Sequence, residues 1–234
     1  SETNLGVGGG RSYVFEKADG KYIYFLDDDA IISPENCETF FVESIKFLEE
    51  NDEVASLTTR IQDEVFGEKR NEIASRFTLD GKKMMFFYLG GSHFLKKASF
   101  SSPLYFNIKY GGEEYAPSIK AMDKGYYHVF DESISIIHKP KVNKWIDGTE
   151  RMRSVQISCA AVVYATKRIL YPTIFFPVIW AFYQIRCKKY LSRYKGAKEE
   201  ANSLVKEIIE NNSCKKVKVK TVCKMYQRFG LTVF

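Results

Sequence analysis

Apolar and polar positions fall into blocks whose lengths separate strands from helices. Arg11 to Ala18 reads as a helix stopped by Asp19-Gly20. Tyr22-Ile23-Tyr24-Phe25-Leu26 is a continuous apolar run of strand length, the mark of a strand covered on both faces, and it ends in Asp27, Asp28 and Asp29. Ser33, Pro34 and Glu35 supply an N-cap, a first-turn proline and an acid against the helix dipole. They predict a helix from there to Glu50, with Cys37, Phe40, Phe41, Ile45 and Leu48 on one stripe. Val54 to Thr59 is extended again, which gives strand, helix, strand.

From Arg60 to Lys83 the pattern is polar and weakly periodic, as in an insertion or a mobile loop, and no element is assigned. Met84 to Leu89 reads as a strand, Gly90-Gly91 as a sharp turn, and His93 to Leu95 as extended chain. Gly112-Glu113-Glu114 opens a helix that ends at Gly125, and two short strands follow, 126–130 and 133–137, before His138. Beyond lie a helix from Thr149 to Arg168, an aromatic stretch from Ile169, a basic helix to Lys195 and a helix from Ala197 to Asn211. The apolar stretch 169–182 has 14 residues and two prolines. A spanning helix needs roughly 20, so an interfacial segment with basic flanks fits better.

Charge divides the chain. Residues 1–138 hold 15 basic and 23 acidic side chains, whereas 139–234 hold 20 and 6. An acidic half suits a cation site, and a basic half suits an anionic partner such as nucleic acid or an inner membrane leaflet. The 234 residues are 45% hydrophobic and 15% aromatic, which excludes a disordered chain. Five scattered cysteines without a CxxC pair write neither a disulfide framework nor a zinc site, and a reducing compartment is the simplest reading.

In extended chain, residues i and i+2 share a side, so Asp27 and Asp29 present two carboxylates together beyond the sheet edge, where open α/β sheets bind ligands. Hard oxygens there select Mg²⁺ or Mn²⁺, and a solvated acidic turn is the competing reading of a bare Asp-x-Asp. The cluster Gly6, Gly8, Gly9, Gly10 could form a phosphate-binding nest at a helix start. Of Glu113 and Glu114, one could serve only as a helix cap. His93 and His128 read as structural histidines, His138 as either a core histidine or a ligand, and Trp145 as a packing residue.

Together, Asn4-x-Gly6, Gly9-Gly10-Arg11, the run from Ala18 to Asp29, Gly112-Glu113-Glu114, Gly125-Tyr126 and His138 resemble glycosyltransferase family 2 in order and spacing over residues 4–138. The resemblance implies an α/β, GT-A (Rossmann-like) nucleotide-diphospho-sugar transferase domain. Asp27 and Asp29 then match its metal-holding motif, and His138 a histidine that reaches metal or diphosphate. Arg11, with Asn4 and Asp28, falls on the donor side. Glu113-Glu114 match the acidic motif that supplies the general base, with Glu114 preferred and Glu113 orienting the site or touching the acceptor.

The expected reaction is transfer of one sugar from a UDP- or dTDP-sugar to a polysaccharide or lipid-linked acceptor, with Mg²⁺ or Mn²⁺ and inversion at the anomeric carbon. A processive Gln-x-x-Arg-Trp motif is absent from the sequence, which favours single addition. The family's first two strand-helix units have no counterpart before Asn4, so the catalytic part is expected to be N-terminally incomplete, over residues 1–140, followed by a basic helical region over 141–234. A non-catalytic membrane-surface or scaffold module is the alternative. Location is expected to be cytoplasmic, peripheral at the inner face of the cell membrane. Lys215, Lys216, Lys218, Lys220 and Lys224 come without a recognised reading motif, so nucleic acid is not an expected partner.

Overall fold

The structure, a computed structural model, describes residues 4–63, 67, 71–73, 75–106, 108, 110–140 and 149–234. Trp145 lies outside them, as do parts of the unassigned segment 60–83. Helix α1 (Gly6–Lys17) leads into β1 (Tyr22–Leu26), β2 (Ala30–Ile32), α2 (Phe40–Glu50) and β3 (Val54–Asp63). A hairpin of β4 (Thr78–Leu79) and β5 (Lys82–Met85) is followed by β6 (Ser92–Lys96), α3 (Tyr115–Asp123) and β7 (Tyr127–His138). Helices α4 (Glu150–Leu170), α5 (Phe176–Tyr190), α6 (Ala197–Asn211) and α7 (Val219–Phe229) complete the chain.

The strands form one mixed sheet in the order β1-β6-β3-β7-β5-β4, with β2 paired to β7. β3 and β7 run parallel down its centre, and the remaining pairs are antiparallel. β3 feeds cores on both sides of the sheet: Val54, Leu57 and Ile61 pack with Phe40, Phe47 and Leu48 of α2, while Ala55, at a register shift between Val54 and Ser56, joins Phe15 of α1 and Leu104. The C-terminal helices share a third cluster with α3. Ile119, Phe86 and Phe106 pack with Ala161, Leu170 and Val222, so the core runs unbroken across residue 140.

Several expected elements are redrawn. α1 begins at Gly6, so the glycine cluster lies within the helix, where Gly8 sits against the backbone of Ile108. α2 starts at Phe40 instead of after Ser33, because Asn36 spends its side chain on Ser135 and on the Ser133 carbonyl. The expected strand 84–89 is shifted to Lys82–Met85, and the two strands 126–130 and 133–137 are one strand, with a register shift opposite Thr59 and Arg60. The basic helix expected to reach Lys195 stops at Tyr190. α7, absent from the sequence reading, is fixed by Asp123 Oδ1, which accepts from Lys218 N at 2.9 Å and Thr221 Oγ1 at 2.5 Å. No helix among the described residues is long and apolar enough to cross a membrane.

Candidate active site

The strand ends deliver an acidic cluster. After β1 the chain turns at Asp27, where Ala30 N bonds to Asp27 O, and enters β2, whose Ala30 is the register partner of His138. Lys139 N donates to Asp29 O at 2.8 Å and fastens the turn to the end of β7. One ligand atom each from Asp27, Asp29 and His138 lie within 4.8 Å of one another. His138 is buried; Nε2 stands 3.1 Å from Asp29 Oδ1 and Nδ1 stands 2.8 Å from Asp63 Oδ2. Asp63 is buried at the end of β3 and is the parallel-register partner of His138. An imidazole whose Nδ1–H is given to a carboxylate turns its Nε2 lone pair outward, the usual arrangement of a metal-binding histidine. Two carboxylates and one such nitrogen fit a hard or borderline divalent cation.

Arg11 is the cation already present. From α1 its Nη2 donates to Asp27 Oδ1 at 2.6 Å and to the Gly90 carbonyl at 2.9 Å, and Nη1 lies 3.6 Å from Glu114 and 3.8 Å from Glu113. Asp27 N in turn donates to Gly91 O at 3.0 Å. Gly90 is packed against the cluster: a Cβ there would fall on Glu114 Oε1 and 3.1 Å from Arg11 Nη1.

Gly111 and Gly112 hold φ of +87° and +82°, a left-handed pair that turns the chain into α3 and carries Glu113 and Glu114 inward. Both are buried. Burial first, and then the neighbouring charge of Glu113, push the Glu114 carboxyl up to about 8. Glu113 Oε2 is buried and meets no hydrogen-bond partner among the described residues. A buried carboxylate oxygen left open in this way suits a donor brought by a ligand.

Of the residues singled out from the sequence, Arg11, Asp27, Asp29, Glu113, Glu114 and His138 come together in one cluster. Asp28 is exposed at the turn between Asp27 and Asp29. Asn4 stands apart: its Oδ1 accepts from Gly6 N at 2.9 Å, and it lines a cavity between α1, α4 and α6 that no residue of the acidic cluster lines. His93 and His128 are buried in the core, where burial lowers both pKa values, that of His128 to about 4. Asp63 and the close packing at Gly90 were not anticipated. A polar residue closing a strand at Asp63 was the available signal, but it lies 75 positions from its partner.

The model of glycosyl transferase family 2 matches residues 1–106. The crystal structure of GalNAc-T7 with UDP, GalNAc and Mn²⁺ superposes with a TM-score of 0.54 at 13% identity, over 90% of this chain and 44% of that one. The crystal structure of S. aureus TarS 1–349 superposes with a TM-score of 0.50 at 18% identity, over 90% of this chain and 64% of that one. The chain therefore has the GT-A glycosyltransferase fold and spans less than two thirds of the length of either neighbour. No curated protein matches it in sequence.

Proposed function

We propose that the chain, whose residues 1–106 match the model of glycosyl transferase family 2, moves one sugar from a nucleoside-diphosphate sugar to a hydroxyl of a polysaccharide or lipid-linked acceptor, with a divalent metal and with inversion. The observation that carries this reading is the grouping of Asp27, Asp29 and His138 within 4.8 Å beside a buried pair of glutamates. A solved neighbour of the same fold holds UDP and Mn²⁺, which supports a uridine diphosphate donor here over the dTDP alternative.

Asp27, Asp29 and His138 would hold Mg²⁺ or Mn²⁺, which when bound supplies positive charge to the diphosphate as it leaves. Asp63 keeps the His138 ring turned so that Nε2 faces the cluster. Arg11 neutralises the approach of Asp27 to Glu113 and Glu114, and its guanidinium would add positive charge to a diphosphate bound beside it. Asp28 lines the exposed side of the same turn, while Asn4 acts through the start of α1.

The acceptor hydroxyl is a poor nucleophile. Glu114 takes its proton as it attacks the anomeric carbon from the side opposite the diphosphate, and Glu113 Oε2 orients that hydroxyl. An acid poised near neutral pH is suited to this exchange, since it is deprotonated often enough to accept a proton. The basic residues of 139–234 support peripheral docking on the anionic inner face of the cell membrane.

The test is UDP or dTDP release from a panel of nucleotide sugars. Glu114→Gln should lower turnover by about 10² to 10⁴-fold, the usual worth of a general base. Turnover that survives this substitution would remove Glu114 from the role.

A further inference from the structure

Between the end of α3, the start of β7 and α7 lies a cavity of about 340 Å³. Five cations line it, Lys124, Lys218, Lys220, Lys224 and Arg228, against a single carboxylate, Asp123. That carboxylate is already engaged, because its Oδ1 accepts from Lys218 N and from Thr221 Oγ1. None of the five cations forms an ion pair among the described residues. The cavity opens beside Tyr127, the first residue of β7, whereas His138 of the acidic cluster is the last. Eleven strand steps separate the two, roughly 35 Å.

The cations are arranged, not scattered. Lys220, Lys224 and Arg228 are all the charged residues of α7, and spacings of four place them on one row, while Val222 on the opposite side enters the core. Like charges four apart on a helix destabilise it, and an anion lying along the row offsets that repulsion. The Arg228 guanidinium is fixed in place: it stands 4.3 Å from the ring centroid of Tyr127, and Nη2 donates to the Tyr127 hydroxyl at 3.0 Å. Across the cavity, Lys124 Nζ donates to Ser101 Oγ at 2.9 Å. The side chains of Lys218, Lys220 and Lys224 are exposed and make no hydrogen bond among the described residues. A held guanidinium offers a planar fork that matches phosphate oxygens, and the lysines add mobile point charges around it.

Size and charge together select the ligand. A concave site of this volume takes a compact molecule. Five cations around one occupied carboxylate call for several negative charges in a small space. Linked phosphates meet both conditions, whereas a carboxylate or a single phosphate leaves most of the cations unmatched.

We infer that this cavity binds an anion with two or more linked phosphates, held by Arg228, Lys220 and Lys224 along α7 and enclosed by Lys124 and Lys218. The assignment goes beyond the transfer chemistry and is independent of it, because the site lies at the far end of β7 and needs neither donor nor metal. Its failure would leave the transferase reading intact, and the reverse also holds.

The experiment is calorimetric titration of the 234-residue chain, without metal or nucleotide, with tripolyphosphate, inorganic phosphate and sulfate. Tripolyphosphate should bind at least ten times more tightly than either of the others. The double substitution Lys220→Gln/Lys224→Gln, at two exposed positions, should weaken it at least tenfold, while Lys188→Gln/Lys189→Gln, the same change of charge on α5, should leave it within twofold. Equal affinity for inorganic phosphate, binding that survives the α7 double substitution, or an equal loss in the α5 pair would each overturn the inference. Co-sedimentation with cardiolipin vesicles, whose lipid carries two phosphates on one headgroup, tells the sources apart once tripolyphosphate binds as expected. Retention that drops in the α7 double variant assigns the phosphates to a lipid headgroup, and retention equal to the parent's assigns them to a free anion.

Discussion

His138 Nδ1 lies 2.8 Å from Asp63 Oδ2 while His138 Nε2 lies 3.1 Å from Asp29 Oδ1, so one buried imidazole joins a buried carboxylate to a half-exposed one. If Asp63 fixes the ring for metal binding, Asp63→Asn should weaken Mn²⁺ affinity about 10 to 100-fold, the range for loss of a partner behind a metal ligand. Electron paramagnetic resonance of free Mn²⁺ reads this directly. An unchanged affinity would reduce Asp63 to a packing partner of β7.

Arg11 lies within 3.8 Å of three carboxylates, so its removal leaves a concentration of negative charge. Arg11→Met should lower the melting temperature of the metal-free chain, and added Mn²⁺ should restore part of the loss. A variant that melts like the parent, with and without Mn²⁺, would mean that the acids do not need this cation.

Glu114 also sets a pH dependence. Burial raises its folded pKa from 4.5 to about 8, so between these values the folded state binds more protons than the unfolded one. Stability from this group is fully present below pH 4.5 and is lost as pH rises towards 8. Denaturant midpoints of the metal-free chain should therefore fall across that window, and Glu114→Gln should flatten the decline and melt higher than the parent at pH 8. Parallel profiles for the two proteins would show that Glu114 ionises normally.

Gly90 is packed against the functional groups themselves. Gly90→Ala places a methyl group at Glu114 Oε1 and beside Arg11 Nη1, where only a displacement of both side chains makes room. The expected result is a loss of turnover of at least tenfold with a circular dichroism spectrum like the parent's. Full turnover would show that the glutamate and arginine positions tolerate displacement.

Legibility in the sequence followed the range of the interaction. Asp27 and Asp29 were readable because a hydrophobic strand and its terminal acids are adjacent in the chain, and Glu113-Glu114 because glycines precede them. Asp63, by contrast, acquires its role only when β3 and β7 align in parallel, a pairing that no local pattern records. The same holds for Asn36, whose side chain reaches Ser135 across 99 positions and delays the start of α2. The β4–β5 hairpin did carry a signal, Asp80-Gly81, a two-residue turn sequence, but its strands are too short to register as a pattern. In α7 the lysines at 218, 220 and 224 obscured Val222 and Met225, which face the core. Lys167, read from the sequence as a basic flank of an interfacial segment, is instead buried in the fold.

The most direct measurement is calorimetric titration of the chain with UDP and with dTDP, in the presence and absence of Mn²⁺, alongside Asp29→Ala. Binding that requires Mn²⁺ and is lost in Asp29→Ala is the predicted result, and it would establish a metal-bridged diphosphate site at Asp27, Asp29 and His138. Nucleotide binding that ignores both the metal and the substitution, or no binding under any condition, would sink the assignment of these residues to a donor site.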